Sequence, residues 1–188
     1  IAVEEEVDPL LDPVLEKLPE GLRSLAGDLQ STVEAIESFC MGVLDSIVDH
    51  IAIVKFQSAC FERYGAAGIS VLHHGMSHAS SLGLEVILDA KRGDIGVTAE
   101  HYSASSRLGG ADWTTVSPYL GFNPLASFLE EDRGAFVLVR TSNPDSDDVQ
   151  SLTLDDGRTV AEAMADLLVE AGDEFIGRHG YSSLGAVV

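Results

Sequence analysis

An α/β fold of consecutive parallel β/α units is what this sequence predicts, and three observations predict it. Short apolar runs rich in β-branched residues alternate with longer amphipathic stretches, as strands alternate with crossover helices. The strand-like runs end in charged or polar residues: Lys55, Asp89 with Lys91, Ser117, and Thr141 with Ser142. Parallel-sheet folds keep their chemistry at such strand ends. The last apolar run, residues 184–188, coincides with the last residues of the sequence, which leaves six strand candidates and five intervening helices. An open six-stranded sheet satisfies that count. A single (β/α)8 TIM-barrel domain, with residues 1–188 supplying about its first six units, also satisfies it and brings all those strand ends to one rim. The barrel lacking its C-terminal units is therefore the expected architecture.

In chain order, residues 1–3 make a poor strand, because Glu4, Glu5 and Glu6 follow at once and a carboxylate run is not buried unpaired. The first strand is expected to be very short or to lie ahead of residue 1. Residues 13–25 read as a connector containing proline and leucine. A helix is expected over residues 31–48, with Val33, Ile36, Phe39, Val43, Leu44 and Ile47 at helical spacing. Ile51-Ala52-Ile53-Val54 reads as a buried strand ending at Lys55. A second helix over 59–80, interrupted near Gly65 and Gly68, leads into a strand over 85–90. Residues 98–106 read as helix and 112–117 as strand, closed by Pro118-Tyr119-Leu120-Gly121. A short helix over 124–130, a strand over 135–139, an amphipathic helix over 159–176 and the strand at 184–188 complete the reading.

Bulk properties exclude several functions. With 31 acidic against 11 basic residues, the formal net charge of -20 repels nucleic acid and anionic membranes. No apolar stretch reaches the roughly 18 residues of a membrane span and no signal-peptide pattern opens the sequence, so a cytoplasmic location is expected. Cys40 and Cys60 have neither metal-site nor disulfide-framework spacing and are expected to be buried, reduced thiols. Lysine occurs only at positions 17, 55 and 91, and two of the three fall at the ends of apolar runs. The acidity itself reads as an adaptation to a salty cytoplasm.

The densest chemistry lies in Asp89-Ala90-Lys91-Arg92-Gly93-Asp94. Strand alternation puts Asp89 and Lys91 on one face, and Asp94 follows a glycine turn where the chain would enter a helix. By spacing alone this is equally a strand-end salt bridge with a helix cap, or two carboxylates flanking a catalytic ammonium. Other patterns have plainer readings. His74 and His78 at i, i+4 spacing fit a solvated helix face better than a metal site, lacking an accompanying Glu-rich motif. Gly65 and Gly68 fit a helix break, Asp145, Asp147 and Asp148 a mobile acidic loop, and Trp113 and Phe128 the core.

Ile87-Leu88-Asp89-Ala90-Lys91-Arg92-Gly93-Asp94-Ile95-Gly96, with Thr98 following, resembles the Asp-x-Lys-x-x-Asp signature of orotidine 5'-monophosphate decarboxylases. Val54-Lys55-Phe56-Gln57 with Phe61-Glu62, Ser117-Pro118-Tyr119-Leu120-Gly121 and Thr141-Ser142-Asn143-Pro144 are similar, in the same order, to the type 2 bacterial branch of that family. The resemblance implies a TIM barrel that decarboxylates orotidine 5'-monophosphate to UMP in pyrimidine biosynthesis, without metal or other cofactor. It implies that Lys55, Asp89, Lys91 and Asp94 form an alternating charge network with Lys91 as proton donor. It further implies that Ser142 recognises the pyrimidine, Ile95 lines the pocket near the base, and Asp8 is the ribose-binding aspartate after the first strand. Ser117 joins the substrate-binding set. Asp94 and Thr98 are implied to complete the neighbouring site of a homodimer.

The family's phosphate site, a Pro-Gly-x-Gly stretch and a late arginine, has no counterpart before Val188, so a longer parent chain is expected. A keto-sugar-phosphate decarboxylase of the same superfamily, which would require Mg²⁺, is one alternative. An inactive nucleotide-binding barrel fragment is the other.

Overall fold

The structure, a computed structural model, describes residues 10–130, 133–177 and 180–188. Two compact units divide it: residues 1–90 with 106–112, and residues 91–105 with 113–188. The first three strands fall in the first unit, apart from the last two residues of the third, and the other three in the second.

In the first unit, β1 (Leu10–Leu11) pairs parallel with β2 (Ile53–Gln57), and β2 pairs parallel with β3 (Glu85–Arg92). Between β1 and β2 come a 3-10 turn at Leu15–Lys17, α1 (Glu20–Arg23) and α2 (Leu29–Ile47). α2 begins at a capping box: the Ser31 N–H donates to Asp28 Oδ1 at 2.8 Å, and the Asp28 N–H to Ser31 Oγ at 3.0 Å. α3 (Ser58–Glu62) and α4 (Gly65–Ser81) connect β2 to β3. The expected helix break is real and falls at Arg63-Tyr64. Gly65 restarts the helix at φ +62°, a conformation that suits glycine.

Alternation in β2 and β3 sorts the first unit's side chains. Val54, Phe56, Val86 and Leu88 pack with Ile36, Cys40 and Leu44 of α2 and Leu72 and Met76 of α4 in one apolar core. Lys55, Gln57, Ile87 and Asp89 take the opposite face, in register as Lys55 with Ile87 and Gln57 with Asp89. Cys40 is buried within this core, where desolvation pushes its thiol up to about 12, so it stays protonated. Cys60 is only half-buried, a departure from expectation.

α5 (Gly96–Leu108) starts in the second unit and enters the first at Ser106, before the helix ends. β4 (Trp113–Val116), β5 (Gly134–Leu138) and β6 (Leu184–Val187) then pair parallel in that order. A 3-10 helix at Asn123–Leu129 links β4 to β5. A 3-10 turn at Pro144–Ser146, α6 (Asp147–Gln150), α7 (Val160–Gly172) and a 3-10 turn at Asp173–Phe175 link β5 to β6. Val116, Ala135, Val137 and Val139 meet Leu125, Phe128 and Leu168 in a second core. On the other face Trp113 stacks obliquely on Phe136, ring centroids 5.1 Å apart. Gly134 lies directly against the Trp113 ring, where a Cβ would clash.

Strand order follows chain order within each unit, with a helix-bearing connection at every step, the pattern of successive β/α-barrel units. The first described strand is Leu10–Leu11; the expectations for residues 1–3 and Asp8 lie outside the described residues. Two expectations need correction. β2 runs two residues past Lys55, because its ladder with β3 continues to Gln57 opposite Asp89, so Lys55 sits inside the strand; β3 runs to Arg92, two residues past the expected Ala90. The acidic segment after Ser142 is helical, and Asp147 bonds both Arg140 and Ser151, which hold its carboxyl below the usual range.

Candidate active site

On the polar face of the first unit, the Lys55 ammonium lies 3.0 Å from Asp89 Oδ2, 3.5 Å from Asp12 Oδ1 and 3.4 Å from Gln57 Oε1. Asp89 is 7% exposed. A carboxylate so enclosed needs a partner to offset the cost of its desolvation, and Lys55 provides one. The Gln57 amide also donates to the Asp89 carbonyl at 3.3 Å, tying the two strands at the same level. Register explains the convergence: β1 places Leu11 opposite Phe56, so the next residue, Asp12, leaves the strand beside the tip of β2.

The sequence reading missed Asp12. A strand of two residues gives no periodicity to detect, and its only trace is the Leu10-Leu11-Asp12-Pro13 sequence. The residue that directly follows the first described strand is therefore Asp12.

In the second unit the tail of β3 carries Lys91, whose φ of +48° makes it the only non-glycine described residue in the left-handed region. Pleat alternation stops at such a residue, so the extended-strand argument for its direction does not carry through Lys91. Its N–H donates to Thr115 Oγ1 at 2.9 Å. Arg92 returns to the ladder, its carbonyl accepting the Ser117 N–H at 2.7 Å, and its guanidinium stacks over the Tyr102 ring at 5.1 Å.

Asp94 and Ile95 occupy the short link before α5, where Asp94 Oδ1 accepts the Ile95 N–H at 2.8 Å. Thr98 lies exposed in the first turn of α5, and Ile95 is 58% exposed. Ser142 is at the surface in the loop after β5. There the Gln150 side chain accepts the Thr141 N–H and donates to Thr141 Oγ1, each at 2.8 Å. Gln150 and Thr115 were not singled out in the sequence, and Gly93 was read only as the turn before Asp94. Gln150 sits in the acidic segment, and Thr115 left only the signal of two adjacent threonines in an apolar strand.

Gly93 has a steric role. A Cβ built there would sit 3.1 Å from the Ser117 Cβ and 3.2 Å from its carbonyl oxygen, closer than such atoms normally approach. Gly93→Ala is expected to displace Ser117 slightly and lower the unfolding temperature, and Gly93→Val to lower it further, as overpacking does. Thermal unfolding checks both; an unchanged Tm in Gly93→Val would mean that Ser117 gives way without cost.

His74 and His78 do not simply face solvent. His74 Nδ1 meets Glu37 Oε1 at 2.9 Å and His78 Nε2 meets Asp45 Oδ1 at 2.7 Å, clasping α4 to α2. Among the described residues no group of three His, Cys, Asp or Glu side chains is arranged to hold a metal ion. Nor is any described helix long and apolar enough to cross a membrane.

Known proteins were compared with this chain. Residues 24–188 match the family model described as orotidine 5'-phosphate decarboxylase / HUMPS family. An orotidine 5'-phosphate decarboxylase from Rhodopirellula baltica is 42% identical, over 95% of this chain and 63% of its own length. One from Roseiflexus castenholzii is 44% identical, over 84% and 55%. The chain thus spans less than two thirds of the length of these curated relatives. Among solved structures, Leishmania donovani OMP decarboxylase superposes with a TM-score of 0.73 at 32% identity, covering 95% of this chain and 63% of that one. The fold is accordingly that of a partial β/α barrel, its strands in chain order, and the chain belongs to the orotidine 5'-phosphate decarboxylase / HUMPS family.

Proposed function

We propose that the protein to which this chain belongs decarboxylates orotidine 5'-monophosphate to UMP, a cytoplasmic step of pyrimidine biosynthesis. The observation that carries this reading is the buried Asp89 carboxylate held 3.0 Å from the Lys55 ammonium, on the strand that delivers Lys91 two residues later. Two named relatives at 42% and 44% identity support it.

Loss of CO₂ breaks the bond between C6 and the carboxylate and leaves the electron pair on C6, where the ring cannot delocalise it. An ammonium nearby stabilises that charge and then supplies the proton that forms the C6–H bond of UMP. Lys91 fills that role, with two carboxylates, Asp89 and Asp94, within three residues of it in the sequence. Lys55 orients Asp89. Asp12, on Lys55 and directly after β1, is the ribose-hydroxyl ligand in place of Asp8. Ser142 and Ser117 contact the pyrimidine side of the substrate, and Ile95 lines the base pocket. Asp94 and Thr98 complete the site of a second subunit, consistent with the exposed Ile95 and Val97 that flank them.

The scheme draws in no metal or cofactor. The fall in ultraviolet absorbance as the full-length protein converts orotidine 5'-monophosphate to UMP is expected to be the same with and without EDTA. Loss of turnover in EDTA would transfer the assignment to a Mg²⁺-dependent keto-sugar-phosphate decarboxylase. Absence of turnover with UMP still bound would reduce the protein to a nucleotide-binding barrel.

A further inference from the structure

We infer that Thr115 is a positioning residue for Lys91: its hydroxyl, by taking the Lys91 N–H, holds the proton donor in the left-handed conformation that sets its direction. This inference rests on Lys91 being the proton donor. In a regular parallel ladder an amide at the tail of β3 would donate to a backbone carbonyl. Here the acceptor is a side chain, Thr115 Oγ1 at 2.9 Å, and the donor is the single described non-glycine residue with positive φ. The two facts have one cause. A left-handed residue turns its peptide planes out of the ladder's alignment, so its N–H needs an acceptor at a different place from the strand carbonyls.

That conformation is unfavourable for a lysine and persists only where the surroundings fix it. Thr115 is 5% exposed, between the fully buried Val116 and the equally enclosed Thr114, and is paired in the β4–β5 ladder opposite Phe136. Its rotamer is restricted by β-branching as well, so it is a stiff acceptor. One residue on, Arg92 is fixed twice, by its carbonyl on the Ser117 N–H and by its guanidinium over Tyr102. Lys91 therefore turns left-handed against a rigid frame, in which the Thr115 hydroxyl takes its N–H.

The test uses the full-length protein with three substitutions. Thr115→Val keeps the shape and removes the acceptor, and Thr115→Ser restores the hydroxyl. Thr115→Cys, whose sulfur accepts only weakly, stands in for valine should that variant be too unstable to purify. Thr115→Val is expected to lower kcat about a hundredfold while KM moves by less than about threefold, and Thr115→Ser to recover most of kcat. A parallel KM loss, an unchanged kcat, or a serine variant as poor as valine would overturn the inference, because each assigns Thr115 to packing alone.

A second readout needs no activity. With ¹³Cε-labelled lysine, the signal of Lys91 is the one lost in Lys91→Ala. It should shift in Thr115→Val and return in Thr115→Ser. A stationary signal refutes the positioning role even if the protein decarboxylates nothing. A signal that shifts and returns in a protein without turnover instead refutes only the decarboxylase reading.

Discussion

Lys91→Ala is expected to lower decarboxylation by about 10⁴-fold or more, the combined reach of a general acid and an electrostatic stabiliser lost together. Nucleotide binding should remain measurable, because sugar and base contacts are assigned to Asp12, Ser117 and Ser142. Stopped-flow or extended ultraviolet assays give kcat, and titration with UMP gives affinity. Near-normal turnover would refute Lys91 as proton donor. The φ of +48° adds a second expectation that alanine does not test. Lys91→Gly should be equally inactive yet more stable than the parent by about 1 kcal/mol, since glycine adopts positive φ without a Cβ penalty. A gain in Tm together with lost turnover would show backbone strain retained for function.

Lys55→Met is the second large effect, and it acts on stability and turnover together. The substitution keeps the aliphatic stem but removes the ammonium 3.0 Å from a carboxylate that is 7% exposed. Breaking a buried pair from one side typically costs 3–5 kcal/mol; about 3 kcal/mol is expected here, since the Lys55 side chain keeps 20% of its surface in water. Urea unfolding measures it. Adding Asp89→Asn to Lys55→Met should recover part of that loss, because a neutral amide tolerates the site without a cation, while decarboxylation stays absent. A double mutant no more stable than Lys55→Met would mean that Asp89 does not depend on Lys55 for its charge. Turnover in Lys55→Met should fall by roughly 10²-fold or more through misplacement of Asp89.

Much of this was legible in the sequence because it rests on local, repetitive signals. β3 and β5 were recognisable from continuous apolar runs, α2 and α7 from 3.6-residue periodicity, and the Gly65 break from glycine spacing. α7 also carries a Thr159/Glu162 capping box that a sequence can display. The Asp-x-Lys-x-x-Asp stretch singled out β3, the strand that carries Asp89 and Lys91. What escaped detection had no local signal. β1 is two residues long and exists through its pairing with β2, so Asp12 could not be placed until the register put it near Lys55. Strand ends were placed early at Lys55 and Ala90 because charge was taken as a stop. The ladder ignores that rule where a carboxylate and an ammonium neutralise each other across neighbouring strands.

By itself, the sequence determined the alternation of strands and helices, the family, and the identity of the charged residues, all of which depend on which side chain occupies which position along one chain. Only the tertiary structure decided the partners. Lys55 is 34 residues from Asp89 and Lys91 is 24 from Thr115, and pairings at such separations are set by parallel register, which no local pattern encodes. The left-handed turn at Lys91 belongs to the same class: lysine has no preference for it, and it exists because the neighbouring strand offers a hydroxyl where a ladder carbonyl would otherwise serve.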